Sequence, residues 1–324
     1  MRMLVTGANG FLGRRVVAAL LAQGHTVRAL VRPATPLEEL GWPDSVEIVR
    51  ADLRAARELA PAFEGVDVLI HLAAAVTGGD EAMFASTVSG TERLLSAMSG
   101  SGCQRMVLAS SFAVYDWSAT RGTLDEDSPL AAGAGLYARD GYAIAKAWQE
   151  RVTRRFAAQH GWDLTVLRPG FIWGRHHGYL AACGQKIGPV HVVIGPFSHL
   201  PLTHVDNCAD LFARAAVDPR AAGQTLNVVD GPGERIWGYL GSYLKGTGER
   251  GLRVPFPYTV AIGMVRLAFA TLLKRNGKLP GLLIPCRFEA RLKPLHYTNR
   301  RAQELLGWHP PFDHAECLRR TYDH

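Results

Sequence analysis

The sequence has few cysteines and no two of them at metal-binding or redox spacing. Cys103, Cys183, Cys208, Cys286 and Cys317 lie far apart, with no C-x-x-C pair. An odd, scattered set excludes a disulfide framework or a zinc ribbon and reads as reduced thiols. Long apolar runs are missing too. The most apolar stretch, residues 258–273, holds Val260, Met264, Leu267, Phe269, Leu272 and Leu273 but carries Arg266 in its middle. It falls short of the ~20 residues that a bilayer-spanning helix needs. Lys and Arg outnumber Asp and Glu by 36 to 29, a net charge of +7 and a pI near 9.3, yet no basic run exceeds a pair. That scattering argues against nucleic acid as a partner and for an arginine-rich solvent face. An apolar strand pattern starts within two residues of Met1, leaving no room there for a secretory leader. The expectation is a soluble, cytoplasmic protein without a transmembrane segment. The stretch 258–273 leaves open a contact with a membrane surface.

What is present is a core-forming composition. Of 324 residues, 48% are apolar and 20% charged, enough for about two domains of ~150 residues each. Short runs of Val, Ile and Leu at 3–6, 26–31, 46–49, 68–72, 106–109 and 164–167 are each followed by a turn or a helical pattern. Such alternation predicts a doubly wound α/β fold, with parallel strands buried on both faces and a ligand beyond their carboxyl ends. After Arg168-Pro169-Gly170 the alternation loosens. Helices are expected near 206–216, 236–244, 258–273, 301–306 and 316–321, and one strand near 226–229 returns to the sheet.

The first strand runs into Thr6-Gly7-Ala8-Asn9-Gly10-Phe11-Leu12-Gly13, and a helical pattern follows. Glycine is needed where the backbone bends sharply, where a pyrophosphate approaches it, and where the helix packs on the strand. The helix N-terminus then offers free N–H groups and a partial positive charge. Gly7, Asn9, Gly10, Phe11, Leu12 and Gly13 therefore read as a dinucleotide-binding turn. At the end of the second strand an NAD site usually has an acid, but here Val31 is followed by Arg32. An arginine can pair with a 2′-phosphate, so NADP(H) is favoured and NAD(H) is the alternative. Asp52 and Leu53 end the third strand, placed for the adenine edge. Leu72, Ala73 and Ala74 end the fourth, where small residues let backbone approach a cofactor.

Tyr142 and Lys146 are four residues apart at the start of a long helical pattern, so they share one helix face. They open the helix after the fifth strand, and that strand ends in Ser110-Ser111. The glycine loop, His71-Leu72-Ala73-Ala74-Ala75, the Ser110–Tyr115 segment, Tyr142–Lys146 and Arg168–Gly174, in this order, resemble the extended short-chain dehydrogenases/reductases over nearly the whole chain. This superfamily includes the NAD(P)-dependent epimerases/dehydratases and proteins like 3β-hydroxysteroid dehydrogenase. The resemblance implies a Rossmann domain over 1–170 with a returning segment near 203–230. A smaller, mostly helical substrate-binding lid then spans 171–202 and 231–324. It implies Tyr142 as general acid/base, Lys146 as its partner and Ser111 as the hydroxyl that polarises the reacting oxygen, with Ser110 as runner-up. It also sets Tyr142, Lys146, Pro169 and Ile172 against the cofactor, and implies a homodimer.

A physical expectation stands beside it. Free tyrosine titrates near 10, and one cation at ~4 Å in an effective dielectric of ~20 contributes about 4 kcal/mol, nearly three pKa units. On that arithmetic Lys146 acidifies Tyr142. One departure from the family pattern is Thr87, where relatives often carry asparagine; a hydroxyl cannot offer an amide's separate donor and acceptor.

For the substrate, a ketone or secondary alcohol competes with a nucleotide sugar. Phe171 occupies a position where sugar-nucleotide enzymes commonly have asparagine, which favours the reductase reading, whereas Arg235, Arg287 and Arg291 could hold a diphosphate. A non-catalytic dinucleotide-binding regulator is a third reading. Phe112, Tyr115, Phe171 and Trp173, with Trp117, His176 and His177, follow strand ends and are expected to line the cleft for a small-molecule substrate, which the apolar stretch 258–273 would make bulky or lipid-like. His176-His177 has no carboxylate or cysteine at ligand spacing, so no metal site is expected.

Overall fold

A computed structural model describes residues 1–38, 40–54, 59–178, 181–231, 234–273 and 280–323. The side chains of Leu272 and Leu273 lie outside the described ones. The strands of the large sheet are β1 (Arg2–Thr6), β2 (Thr26–Val31), β3 (Glu47–Arg50), β4 (Val68–His71), β5 (Arg105–Ala109), β6 (Asp163–Pro169) and β7 (Thr225–Val228). All pair in parallel, in the order β7-β6-β5-β4-β1-β2-β3. Every residue of β4 is buried, as a strand covered on both faces requires. The edge strand β3 departs from that expectation, because it has a neighbour on one side only and Ile48 is exposed.

The order reverses between β1 and β4. One face of the sheet packs α1 (Phe11–Ala22) and, after the strand order has turned, a later helix (Val205–Val217), through Val16, Val17, Leu20, Leu211 and Phe212. The opposite face packs α2 (Gly90–Ser99) and α3 (Gly141–His160) through Leu94, Leu95, Met98, Val152 and Ala157. Ahead of α2 the chain makes a π-helical turn, Ala85–Ser89, which the sequence pattern does not announce. With Val205–Val217 labelled α4, the rest of the chain adds α5 (Ile236–Thr247), α6 (Tyr258–Leu273), α7 (Pro285–Leu292) and α8 (His314–Tyr322), with a three-stranded sheet built from 185–187, 190–194 and 252–256. Helix α6 is half core and half surface. Ala261, Ile262 and Val265 pack on Phe288 and Leu292 of α7, while Val260, Met264 and Leu267 face out. Among the described residues no helix is long and apolar enough to cross a membrane.

Candidate active site

The crevice of a doubly wound sheet opens where the strand order reverses, here between the ends of β1 and β4. Gly7 has φ +68°, and a Cβ on it would stand 2.9 Å from the Ala73 nitrogen, so the turn and the end of β4 touch backbone to backbone. A Cβ on Gly13 would meet the carbonyl oxygens of Gly7 and Ala8 at 2.1 and 2.7 Å, which fixes glycine where α1 crosses the loop. Gly10 caps α1 with no side-chain hydrogen bond, and the first turn carries no acid. The N–H groups of that turn therefore remain for an anion, and the loop fits a pyrophosphate. Leu12, Leu72 and Ile172 pack at the margin of the adjoining core, and Pro169 ends β6. His177 stacks on Phe11 with ring centroids 3.9 Å apart, so the 174–177 segment covers the start of α1. Ala73 and Ala74 are half-buried beside the loop.

Arg32 is exposed at the end of β2, and its charge acts on Asp52. The Asp52 carboxylate is already committed: Arg54 donates to it from Nη2 at 2.6 Å and Nε at 3.1 Å. Those hydrogen bonds, ahead of the fields of Arg54 and Arg32, hold its pKa below the usual value. Arg14 donates to the carbonyls of Asn9 and Leu40, and Arg50 to that of Pro33. Asn9 reaches Thr35 at 3.5 Å. Leu53 lies over Gly90, where a Cβ would come within 3.2 Å of its own.

On the reaction side the structure separates the two serines. Ser110 is buried and donates to Glu150 Oε2 at 2.6 Å. Ser111 does not share that bond: its hydroxyl caps the short turn at 112–114 by accepting from the Ala113 N–H at 3.1 Å, and it lowers the pKa of the Tyr142 phenol. Glu150 is gripped by Arg168, whose Nη2 lies 2.6 Å from Oε1, and Arg168 also donates to Tyr115 at 3.0 Å. Tyr142 sits one residue into α3, whose N-cap Asp140 accepts from Ala143 at 3.0 Å.

Lys146, one turn on, donates to Ala109 O at 2.5 Å and to Gln149 Oε1 at 2.7 Å. Burial brings its pKa down to about 7, against the attraction of Glu150. Burial pushes the Tyr142 phenol up, with Asp140 adding to the rise and Ser111 opposing it. This corrects the expectation of a phenol acidified by the ammonium. The spacing sets the two on one face, but the lysine's hydrogen bonds are directed at α3's own Gln149 and at β5. Thr87 accepts from the Ala75 N–H at 3.0 Å within the π-helical turn.

The expected cleft aromatics are a second correction. Tyr115 is fully buried and donates to Asn227 at 2.7 Å. Phe112 and Trp117 pack with Leu124, Val229, Leu295 and Tyr297. Trp173 is wedged among His204, Tyr239 and His314, and Phe171 packs at the edge of that cluster. Local position after a strand end did not reveal that later segments cover these rings. One open cleft among the described residues, about 670 Å³, is lined by Pro196, Phe197, His199, Arg235, Phe256, Tyr258, Leu295 and His296. Leu295 also belongs to the hydrophobic cluster that holds Phe112, the residue after Ser111. Of the arginines considered for a diphosphate, Arg235 lines this cleft, Arg287 is committed to the carbonyls of Ala138 and Arg139 at 2.9 and 2.8 Å, and Arg291 is exposed. Among the described residues no group of His, Cys, Asp or Glu is placed to hold a metal ion.

A doubly wound sheet with a glycine loop at its switch point, and a Ser–Tyr–Lys set beside it, defines an NAD(P)-dependent enzyme of the short-chain dehydrogenase/reductase superfamily. A sequence model of the NAD dependent epimerase/dehydratase family matches residues 3–228, and the chain belongs to that family. The chain is 30% identical over 344 residues to a 3 beta-hydroxysteroid dehydrogenase/Delta 5-->4-isomerase of Mycobacterium tuberculosis, covering 98% of this chain and 88% of that protein. It is 26% identical over 348 residues to 3beta-hydroxysteroid-dehydrogenase/decarboxylase isoform 1 of Arabidopsis thaliana, covering 99% and 78% respectively. The fold is shared with a Thermus thermophilus UDP-glucose 4-epimerase solved with NAD, at a TM-score of 0.71 and 22% identity, over 100% of this chain and 98% of that one.

Proposed function

We propose that the protein is an NADP(H)-preferring oxidoreductase that interconverts a secondary alcohol and its ketone, with Tyr142 as the general acid/base. The observation that carries this reading is the placement of Lys146, one turn after Tyr142 on α3: it is tied to the end of β5, just before Ser111, and through Gln149 to the Ala73 backbone that touches the glycine loop. When bound, the dinucleotide supplies or takes up the hydride. Ser111 and the Tyr142 hydroxyl hold the substrate oxygen, and Tyr142 gives it a proton in the reductive direction. The phenol carries its proton at neutral pH, as a donor must, while burial makes it a weaker acid than free tyrosine. Two of the three N–H bonds of Lys146 are committed to Ala109 and Gln149, and the third is the one that remains for cofactor hydroxyls.

Gly7, Gly10 and Gly13 cradle the pyrophosphate, with Asn9, Phe11 and Leu12 around it. Leu72, Ala73, Ala74, Pro169 and Ile172 flank the nicotinamide end, and Leu53 the adenine end. The NADP(H) preference is supported by Arg32, by an Asp52 already neutralised by Arg54, and by Val31 where an acid would repel a 2′-phosphate. The largely apolar cleft and the names of the two relatives support a bulky, apolar substrate. The nucleotide-sugar alternative retains Arg235 on the cleft wall, but Arg287 is tied to backbone. Titration with NADPH and NADH, followed by a panel of ketones and UDP-sugars at 340 nm, tests the reading. Tighter binding of NADPH and its consumption with a ketone are expected. Interconversion of a UDP-sugar without net cofactor turnover would refute it.

A further inference from the structure

Behind the Ser111–Tyr142 pair lies a buried polar chain that the reading above does not use. Gln149 is fully buried in the middle of α3, where an unpaired amide would be costly. A lysine can only donate, so the amide oxygen must be the atom 2.7 Å from Lys146 Nζ, and the amide nitrogen must face the other way. That nitrogen stands 3.2 Å from the Ala73 carbonyl, 2.9 Å from Thr91 Oγ1 and 3.1 Å from His71 Nε2. His71 in turn reaches Thr6 Oγ1 at 2.6 Å, and the Thr91 hydroxyl donates to the Thr87 carbonyl at 2.5 Å. One amide thus joins the lysine on α3 to the end of β4, and through His71 to the last residue before the glycine loop.

We propose that Gln149 is the positioning residue for Lys146: its amide oxygen holds the ammonium while its amide nitrogen locks the lysine to the Ala73 backbone beside the cofactor loop. This inference rests on the functional reading above. Other groups act on the same ammonium. Glu150 follows on α3 and attracts it, while itself paired with Arg168 of β6 and Arg154 of α3. His71 of β4 is neutral, its pKa brought down to about 3 by burial and by the lysine's own field. Tyr142 faces Ser111. The ammonium has two neutral acceptors, the Ala109 carbonyl and the Gln149 amide oxygen, and only the second is a side chain that substitution can remove or charge.

The sequence holds six lysines, so the titration of Lys146 can be followed by NMR of 13Cε-lysine protein, with Lys146→Met giving the assignment and no substrate required. Gln149→Met, close in volume, removes the acceptor and is expected to lower the Lys146 pKa by about one unit. Gln149→Glu leaves an oxygen but adds charge and is expected to raise it. Turnover at pH 8, with the lysine deprotonating, follows the first change with a roughly tenfold loss of rate. If Gln149→Met loses its cooperative melt, Gln149→Asn, whose shorter stem withdraws the oxygen, makes the same test with the same downward shift. An identical Lys146 titration in wild type and variants would overturn the proposal, as would two shifts of the same sign. Opposite shifts with no turnover by any form would support the hold of Gln149 and overturn the redox reading alone.

Discussion

At the switch point of the large sheet, Thr6, His71, Thr91, Lys146 and Gln149 are polar side chains buried against one another, whereas on α6 the apolar side chains of Val260, Met264 and Leu267 stand in solvent. The first arrangement reverses the ordinary preference for polar groups outside, and it persists because each group has a hydrogen-bond partner within the cluster. The second reverses the preference for apolar groups inside, and little is linked to it. Substitutions in the first region should therefore propagate, and those in the second should remain local.

The sharpest contrast is expected from Arg168→Met, which leaves the buried Glu150 without its main cation. Breaking such a pair costs roughly 3–5 kcal/mol, read as a lower urea midpoint. Acid should probe the same region more gently. Arg168, Ser110 and Arg154 hold Glu150 at about 2, overcoming the opposing effect of burial, against an ordinary value of 4.5; burial holds His71 at about 3 against 6.5. Both folded-state values lie below the unfolded ones. Their stability is complete above pH 6.5 for His71 and 4.5 for Glu150, and is lost as pH falls toward 3 and 2. Asp230, pushed up to about 6 by burial from 3.8, works in the opposite sense between those values and offsets part of the loss. A urea midpoint that falls steadily from pH 7 to pH 4 is the expected result, and a midpoint that rises would contradict it.

Smaller still is the effect expected of Arg32→Ala on dinucleotide choice. Loss of a charge-assisted hydrogen bond of about 1.5 kcal/mol weakens NADPH roughly tenfold and leaves NADH unchanged; fluorescence titration with each dinucleotide measures both. At the far end, Met264→Ser on the outer face of α6 should change the urea midpoint by less than the equivalent of about 0.5 kcal/mol. A larger loss would mean that the face is covered in solution, and the contrast between the two regions would fail.

The same difference governs what the sequence discloses. The strands of the large sheet were legible because runs such as Val68–Ile70 are apolar, and the glycine loop because Gly7 and Gly13 answer to backbone contacts close at hand in the chain or across one strand pair; the small sheet at 185–187, 190–194 and 252–256 was not, since its strands are partly exposed and mixed in polarity. The resemblance put Ser111 ahead of Ser110, but the hydrogen bond that occupies Ser110 was not legible, since its partner Glu150 lies forty residues away in α3. Trp173 and Tyr115 look like cleft residues from their places after strand ends, and only the arrival of Tyr239 and Asn227 shows otherwise. Spacing brought Tyr142 and Lys146 to one face, but it carries no information on burial, and burial is what raises the phenol and lowers the ammonium. Gln149 had no signal at all, because a glutamine in a helix is ordinary until its neighbours are known.

The central claim is that Tyr142 moves the proton in a hydride transfer while the glycine loop binds the dinucleotide independently of it. Single-turnover transfer of deuterium from labelled NADPH to an accepted ketone, in wild type and Tyr142→Phe, tests it directly. Deuterium should appear on the alcohol carbon with the wild type and fall by at least ~100-fold with the variant, at unchanged NADPH affinity. Undiminished transfer by the phenylalanine variant would contradict the account.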